Sequence, residues 1–185
     1  MRNLILSVAM IAALAVGAMG AEPKAAETAL ESAKRYTSLM QGEQPIKAVE
    51  EFWEFPEMLQ GMFGEHLKRH TPAEREEIQK LLLGFLKKIY ANPQIAEMMK
   101  KATFGDFQEK APKDGKTVVT FNVVIADKKL PNTLIFKKIE ERWRVVDAAA
   151  NNGPLLAQAI AGEYEKVAKA VTPLEYIREL ARGAP

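Results

Sequence analysis

The chain has 185 residues, with 26 basic and 24 acidic side chains, a formal net charge of +2 and no cysteine. A protein this close to neutral has no strong electrostatic attraction for nucleic acid or for an anionic membrane surface. Without cysteine, disulfide scaffolds, thiol catalysis and thiolate metal sites are excluded, so the fold depends on its apolar core.

The first twenty residues have the pattern of a secretory signal peptide. Arg2 gives a positive start, Leu4–Val16 is apolar, and Ala18 and Gly20 are the small residues that precede a predicted cleavage after Gly20. The apolar stretch is short for a bilayer span, which needs about 20 residues, although a signal anchor is the alternative. Residues 1–20 are therefore predicted to direct export, and residues 21–185 to form a single domain.

Apolar residues at helical spacing predict a series of helices in the first half of the chain. The predicted helices are Ala25–Met40, Pro45–Trp53, Pro56–His66, Pro72–Tyr90 and a short one after Asn92-Pro93. The helix Pro72–Tyr90 is the best defined, because Thr71 and Glu74 have the spacing of a capping box and Pro72 takes the first helical position.

Four strands and two further helices are predicted in the second half. The predicted strands are Thr103–Lys110, Thr117–Ala126, Thr133–Ile139 and Arg142–Ala148. Asp114-Gly115 marks a hairpin, and Glu140-Glu141 forms a tight corner. Asn151–Pro154 then breaks the strand, and the helices Pro154–Val171 and Pro173–Ala181 follow.

Helices followed by a meander of strands and then by helices predict an α+β fold. We expect a curved antiparallel sheet of about four strands, with helices packed on its concave side and at both chain ends. A hollow between the sheet and the helices would bind an apolar ligand if large side chains did not fill it.

Two groups of residues are candidates for chemistry. His66 and His70 are four positions apart and would bind a metal if a glutamate completed the site. Because Thr71-Pro72 begins a new helix, His70 is expected instead to cap the end of the preceding helix, and no metal site is predicted. Asp147 either acts as a general base of raised pKa in an apolar cone or accepts hydrogen bonds from the backbone of the following turn.

Several short motifs occur in the order and spacing of a known family. They are Phe55-Pro56-Glu57-Met58, Thr71-Pro72-Ala73-Glu74-Arg75, Phe85-Leu86 with Tyr90, and Trp143-Arg144-Val145-Val146-Asp147. From Phe52 to Leu180 the chain resembles the MlaC family of periplasmic phospholipid-binding proteins, also called the toluene-tolerance family. It departs from the family in a shorter N-terminal helical segment, and in having Ala159–Gly162 where the family has an Asn-Tyr-Arg cluster.

The resemblance implies a nuclear-transport-factor-two-like cone, no cofactor, no metal and no covalent catalysis. It further implies a periplasmic carrier that shuttles phospholipid between membrane-complex proteins of the outer and inner membranes. The predicted lipid-binding residues are Leu59, Met62, Phe63, Leu82, Phe85, Leu86, Phe121, Leu134, Phe136, Val145, Leu155 and Tyr164. Which face of Thr133–Ile139 lines the hollow is left open, because both faces carry apolar residues.

Two other classes of function are left open by the sequence. One is a small-molecule isomerase or dehydratase in the same cone, with Asp147 as its base. The other is a module of the cell envelope that has no cavity and only binds other proteins.

Overall fold

In a computed structural model, the structure describes residues 28–41 and 44–183. The predicted signal peptide, the start of the first predicted helix and residues 42–43 lie outside these residues.

Seven α-helices and one 3-10 helix are present in the described part of the chain. The helices are α1 (Ala29–Gln41), α2 (Pro45–Phe52), α3 (Phe55–Phe63), the 3-10 helix η1 (Gly64–Arg69), α4 (Pro72–Ala91), α5 (Pro93–Lys100), α6 (Leu156–Glu165) and α7 (Pro173–Arg182). The predicted capping box at Thr71 is confirmed, and a second one begins α7. At the start of α4 the Thr71 backbone N–H donates to Glu74 Oε2 at 2.7 Å, and Thr172 and Glu175 form the same pair at the start of α7.

The predicted helix Pro56–His66 is divided in two by a glycine. Gly64 has φ of +48° and ends α3, and the chain continues as η1. Positive φ is open to glycine at little cost, whereas most other residues avoid it. The break redirects His66 and His70 away from the axis of α3.

The sheet is a four-stranded antiparallel meander in the order β1-β2-β3-β4. Its strands are β1 (Thr103–Glu109), β2 (Lys116–Ile125), β3 (Lys128–Ile139) and β4 (Arg142–Ala150). Two-residue turns at Ala126-Asp127 and Glu140-Glu141 join β2 to β3 and β3 to β4, and Asp114-Gly115 forms the turn at the end of the longer connection from β1 to β2. All six of these turn residues have positive φ. Such turns follow the right-handed twist of the strands they connect, so the hairpins set the strand order locally.

β3 begins five residues earlier than predicted, and its added segment includes a proline. Pro131 pairs with Asn122 of β2, and its carbonyl accepts from the Asn151 N–H at 2.6 Å on the side of β4. The N–H and C=O of one strand residue point the same way, so the donor that Pro131 lacks would have faced the end of β4. No bond of the β2–β3 ladder is lost, and the proline is tolerated.

The helices pack against one face of the sheet, which confirms the α+β prediction. Along β2 the inward residues Thr117, Val119, Phe121 and Val123 are buried, and the residues between them are half-buried. The open edge of β4 is covered by Trp53 and Glu54, because the Glu54 N–H donates to the Val145 carbonyl at 2.8 Å.

The helix predicted over Pro154–Val171 is shorter than expected at both ends. α6 occupies only Leu156–Glu165, and the chain then turns over residues 166–170. Val167, in this turn, is 38% exposed. The Tyr164 hydroxyl donates to the Val171 carbonyl at 3.1 Å and holds this turn in place.

Candidate functional site

Eleven of the twelve predicted lipid-binding residues lie in one continuous buried cluster between the helices and the sheet. We call this set the apolar cluster. Its predicted members are Leu59, Met62, Phe63, Leu82, Phe85, Leu86, Phe121, Leu134, Phe136, Val145 and Tyr164. The exception is Leu155, which is half-buried just before α6, whereas its neighbour Leu156 is buried in the cluster.

The structure decides which face of β3 points inward. Leu134 and Phe136 are 2% and 0% exposed, and Ile135 between them is half-buried on the other face. Directly paired residues share a face, so Ile135 lies on the outer face with Val118 of β2.

Polar groups that the sequence analysis did not single out lie within the apolar cluster. Trp53 Nε1 donates to the Tyr36 hydroxyl at 3.2 Å, and the Tyr90 hydroxyl lies beside that hydroxyl, whereas Thr117 Oγ1 is buried without a hydrogen-bond partner. Burial raises the pKa of Tyr36 and of Tyr90, so both hydroxyls keep their protons. A buried polar group without a partner costs about 1–3 kcal/mol. The interior therefore offers hydrogen-bonding groups to anything that enters it.

Asp147 does not point into the helix-covered interior, because of a β-bulge in β4. Phe136 pairs with Val145 and Ile135 pairs with Asp147, which leaves Val146 as an extra residue. The extra residue inverts the alternation, and Asp147 shares the outer face with Ile135. The sequence pattern did not reveal this orientation, since regular alternation from Val145 would have turned the side chain inward.

The predicted role of Asp147 as a backbone anchor is confirmed. Asp147 Oδ1 accepts from the Ala148 N–H at 2.8 Å and from the Ala157 N–H, in the first turn of α6, at 3.1 Å. Leu155, at the N-cap of α6, has no side-chain oxygen, so Asp147 supplies the cap from another element. Burial raises the pKa of the Asp147 carboxyl, and the two backbone N–H groups oppose that rise.

His66 and His70 lie on and just after η1. Within residues 28–41 and 44–183, no three His, Cys, Asp or Glu side chains are grouped to hold a metal ion. His66 Nε2 is 3.3 Å from Glu165 Oε1. His70 stands at the end of η1 as predicted, but its backbone N–H, not its ring, bonds to the Leu67 carbonyl at 3.0 Å.

A cavity of about 360 Å³ lies where η1, the end of α6 and the start of α7 meet. We call it the junction cavity. Residues between His66 and Glu74 form one wall, and residues between Tyr164 and Pro173 form the other. Tyr164 also belongs to the apolar cluster and packs edge-on against Phe63, with ring centroids 5.0 Å apart. Sequence reasoning missed this cavity, because nothing in either stretch indicates that the other lies beside it.

The comparison with known families is decisive. The family model described as MlaC protein matches residues 25–181. The chain belongs to the MlaC family. This confirms the resemblance drawn from the short motifs. The region of this MlaC-family chain that matches begins at residue 25, whereas the motifs had indicated a start at Phe52.

A solved structure shares the fold of this MlaC-family chain. It is a phospholipid-binding protein from Ralstonia solanacearum, solved in complex with a phospholipid, and is 17% identical with a TM-score of 0.63. The similarity covers 77% of this chain and 83% of the other. No curated protein matches the chain. None of the helices described above is both long and apolar enough to cross a membrane.

Proposed function

We propose that this protein is a periplasmic carrier that binds phospholipid and moves it between outer-membrane and inner-membrane complexes without catalysis. The observation that carries the proposal is membership of the MlaC family, together with a fold shared with a protein solved with phospholipid bound. The predicted signal peptide, residues 1–20, would deliver the chain to the periplasm.

The energetics of lipid transport explain why an apolar interior is needed. Burying one CH2 group is worth about 0.8 kcal/mol, so exposing an acyl chain of about fifteen such groups to water costs about 12 kcal/mol. A carrier must therefore enclose the tails throughout its passage. The apolar cluster is the part of the described chain that offers this environment, between α3, α4 and the inward face of the sheet.

Two properties of the apolar cluster suit it to admit a lipid. The first is its content of methionine, since Met40, Met58, Met62 and Met99 are all buried there. Methionine side chains are flexible and adapt to irregular shapes. The second is the unpartnered hydroxyl of Thr117, which would donate to an ester carbonyl oxygen of a phospholipid.

The test is to identify lipids that accompany the mature protein. We expect mass spectrometry of protein purified from the periplasm to find phospholipid at a fixed molar ratio. We further expect the delipidated protein to speed the transfer of a fluorescent phospholipid between two vesicle populations. Protein that neither carries phospholipid nor takes it up from vesicles would overturn the proposal and favour the module without a cavity.

Matched variants on adjacent residues of β3 locate the binding site. Leu134→Asn places an amide on the inward face, and Ile135→Asn places the same amide on the outer face. We expect the folded fraction of Leu134→Asn to retain much less phospholipid than wild type, and Ile135→Asn to retain the wild-type amount. Equal retention by the two variants would move the site away from the apolar cluster while leaving the carrier function intact.

A further inference from the structure

The junction cavity contains a buried imidazole without a hydrogen-bond partner. The His70 side chain is 8% exposed and lines the cavity, and its Nδ1 makes no hydrogen bond. The nearest acidic atom, Glu74 Oε2, is 3.7 Å away and already accepts from the Thr71 N–H and hydroxyl at 2.7 and 2.9 Å. The Nδ1 side of the imidazole is therefore held beside the Glu74 carboxylate, within the wall of the cavity.

Two cationic side chains stand at the same cavity with no ion pair recorded to any described residue. Arg69 lines it from the end of η1, and Lys169 lines it from the turn after α6. His66 adds a third basic group, although Glu165 lies 3.3 Å from its ring. The one acidic side chain in the wall is Glu74. Hydrogen bonds from Thr71 lower the pKa of the Glu74 carboxyl, so this group is charged and directed into its own capping box.

The start of α7 adds to the positive potential but offers few free donors. Thr172 and Pro173 line the cavity, and the positive end of the helix dipole of α7 is directed there. The N–H groups of Thr172 and Glu175 are already used within the capping box, and Pro173 has none. Contacts to a ligand must therefore come from Arg69, Lys169 and the two histidines.

We propose that the junction cavity binds the phosphate group of a small phosphate ester. Arg69 and Lys169 pair with the phosphate oxygens at the mouth, and the His66 and His70 rings lie in the wall beside them. Ala168 and Val171 provide apolar contact for the carbon part of the ester. The volume of about 360 Å³ lies at the lower end of the range for small-molecule sites, roughly 300–1,000 Å³.

The test is a titration of delipidated full-length mature protein with glycerol 3-phosphate, followed by NMR of the histidine rings. We expect saturable shifts of the His70 and His66 signals, and no shift with glycerol, which lacks the phosphate. Absence of a saturable shift of the His70 signal would overturn the proposal.

Charge-removing variants establish that the cations hold the phosphate. Arg69→Gln and Lys169→Gln are surface changes, so both variants should fold, and each should weaken binding about tenfold. Arg142→Gln is the matched control, because Arg142 is equally exposed at the start of β4, away from the cavity. Equal weakening in all three variants, or in none, would show that the cavity is not the site.

The phosphate could come from a bound phospholipid or from a free ester, and competition separates these sources. If glycerol 3-phosphate is excluded by loaded phospholipid, and Arg69→Gln shifts the lipid phosphorus signal, the cavity holds the headgroup. If both bind together, the ligand is a free ester. The headgroup version rests on the proposed carrier function, whereas glycerol 3-phosphate binding by a protein that takes up no lipid would support the site and refute the carrier.

Discussion

The apolar cluster and the junction cavity touch at Tyr164, yet they are built in opposite ways. The cluster is made of side chains that repeat at helical or strand spacing within single elements, and almost all of them are completely buried. The cavity is made of irregular segments, namely η1, the turn after α6 and the start of α7, and it contains basic side chains and an unpartnered imidazole. A regular element buries one face against a core, whereas the ends of elements leave polar groups free to meet a ligand.

The largest expected effect follows from placing a polar group in the apolar cluster. Leu134→Asn removes a buried aliphatic side chain and adds an unpartnered amide, so we expect a loss of about 4 kcal/mol in the free energy of unfolding. The same amide in Ile135→Asn lies on the outer face and should cost less than about 1.5 kcal/mol. Urea unfolding followed by circular dichroism measures both, and equal losses would contradict the assignment of the two faces.

A smaller effect is expected from Asp147, which serves the helix next to the cavity rather than the cluster. Asp147→Ala removes the cap of α6 and should cost about 1 kcal/mol. Asp147→Asn keeps an acceptor oxygen and mimics the protonated carboxyl. Its lipid binding should equal that of wild type, whereas a loss of some activity confined to this variant would revive the enzyme hypothesis.

The pH dependence of the Asp147→Asn variant has a definite sign. Burial raises the pKa of Asp147 in the folded protein above its ordinary value of 3.8. The protonated carboxyl therefore contributes stability that is fully present below pH 3.8. This contribution is lost as the pH rises through the pKa of the folded state. Asparagine does not titrate and keeps that contribution. We therefore expect Asp147→Asn to be at least as stable as wild type at pH 7, and this advantage should disappear in acid. Urea unfolding at several pH values measures the difference in the free energy of unfolding. An advantage of the variant that grew in acid would contradict the prediction.

Thr117→Val tests whether the interior contains a polar contact for the ligand. Removing a buried hydroxyl without a partner should raise the stability of the delipidated protein by about 1 kcal/mol. In the lipid-loaded protein the gain should vanish, because a hydrogen bond to the lipid is lost. A thermal melt with and without phospholipid compares the two states, and the same gain in both would exclude Thr117 from lipid contact.

The smallest effect on stability is expected from a turn residue outside both the apolar cluster and the junction cavity, which serves as a control. Ala126 has φ of +46° in the exposed turn between β2 and β3. The left-handed conformation costs a residue with a Cβ about 1 kcal/mol, so Ala126→Gly should gain less than about 1 kcal/mol, since glycine also gains freedom in the unfolded chain. Lipid and phosphate binding should be unchanged in this variant.

The sequence by itself determined what depends on neighbouring residues. The capping boxes at Thr71 and Thr172, the two-residue turn at Glu140-Glu141 and the alternation along β2 each act over a few positions, so their patterns were readable. Because hairpins join consecutive strands, the local turns also determined the order of the sheet. The family followed from the spacing of short motifs, and eleven of the twelve proposed lipid-binding residues were found in one cluster for the same reason.

Only the tertiary structure decided the features that depend on distant contacts. The bulge at Val146 turns Asp147 outward, and it is seen only in the register of β4 against β3. Pro131 can lie within β3 because β4 ends beside it. The early end of α6 accompanies the hydrogen bond from the Tyr164 hydroxyl to the Val171 carbonyl. The junction cavity joins segments that lie far apart along the chain. A local sequence pattern indicates which face of a helix or strand is apolar. Which other element packs against that face depends on the tertiary structure of the whole chain.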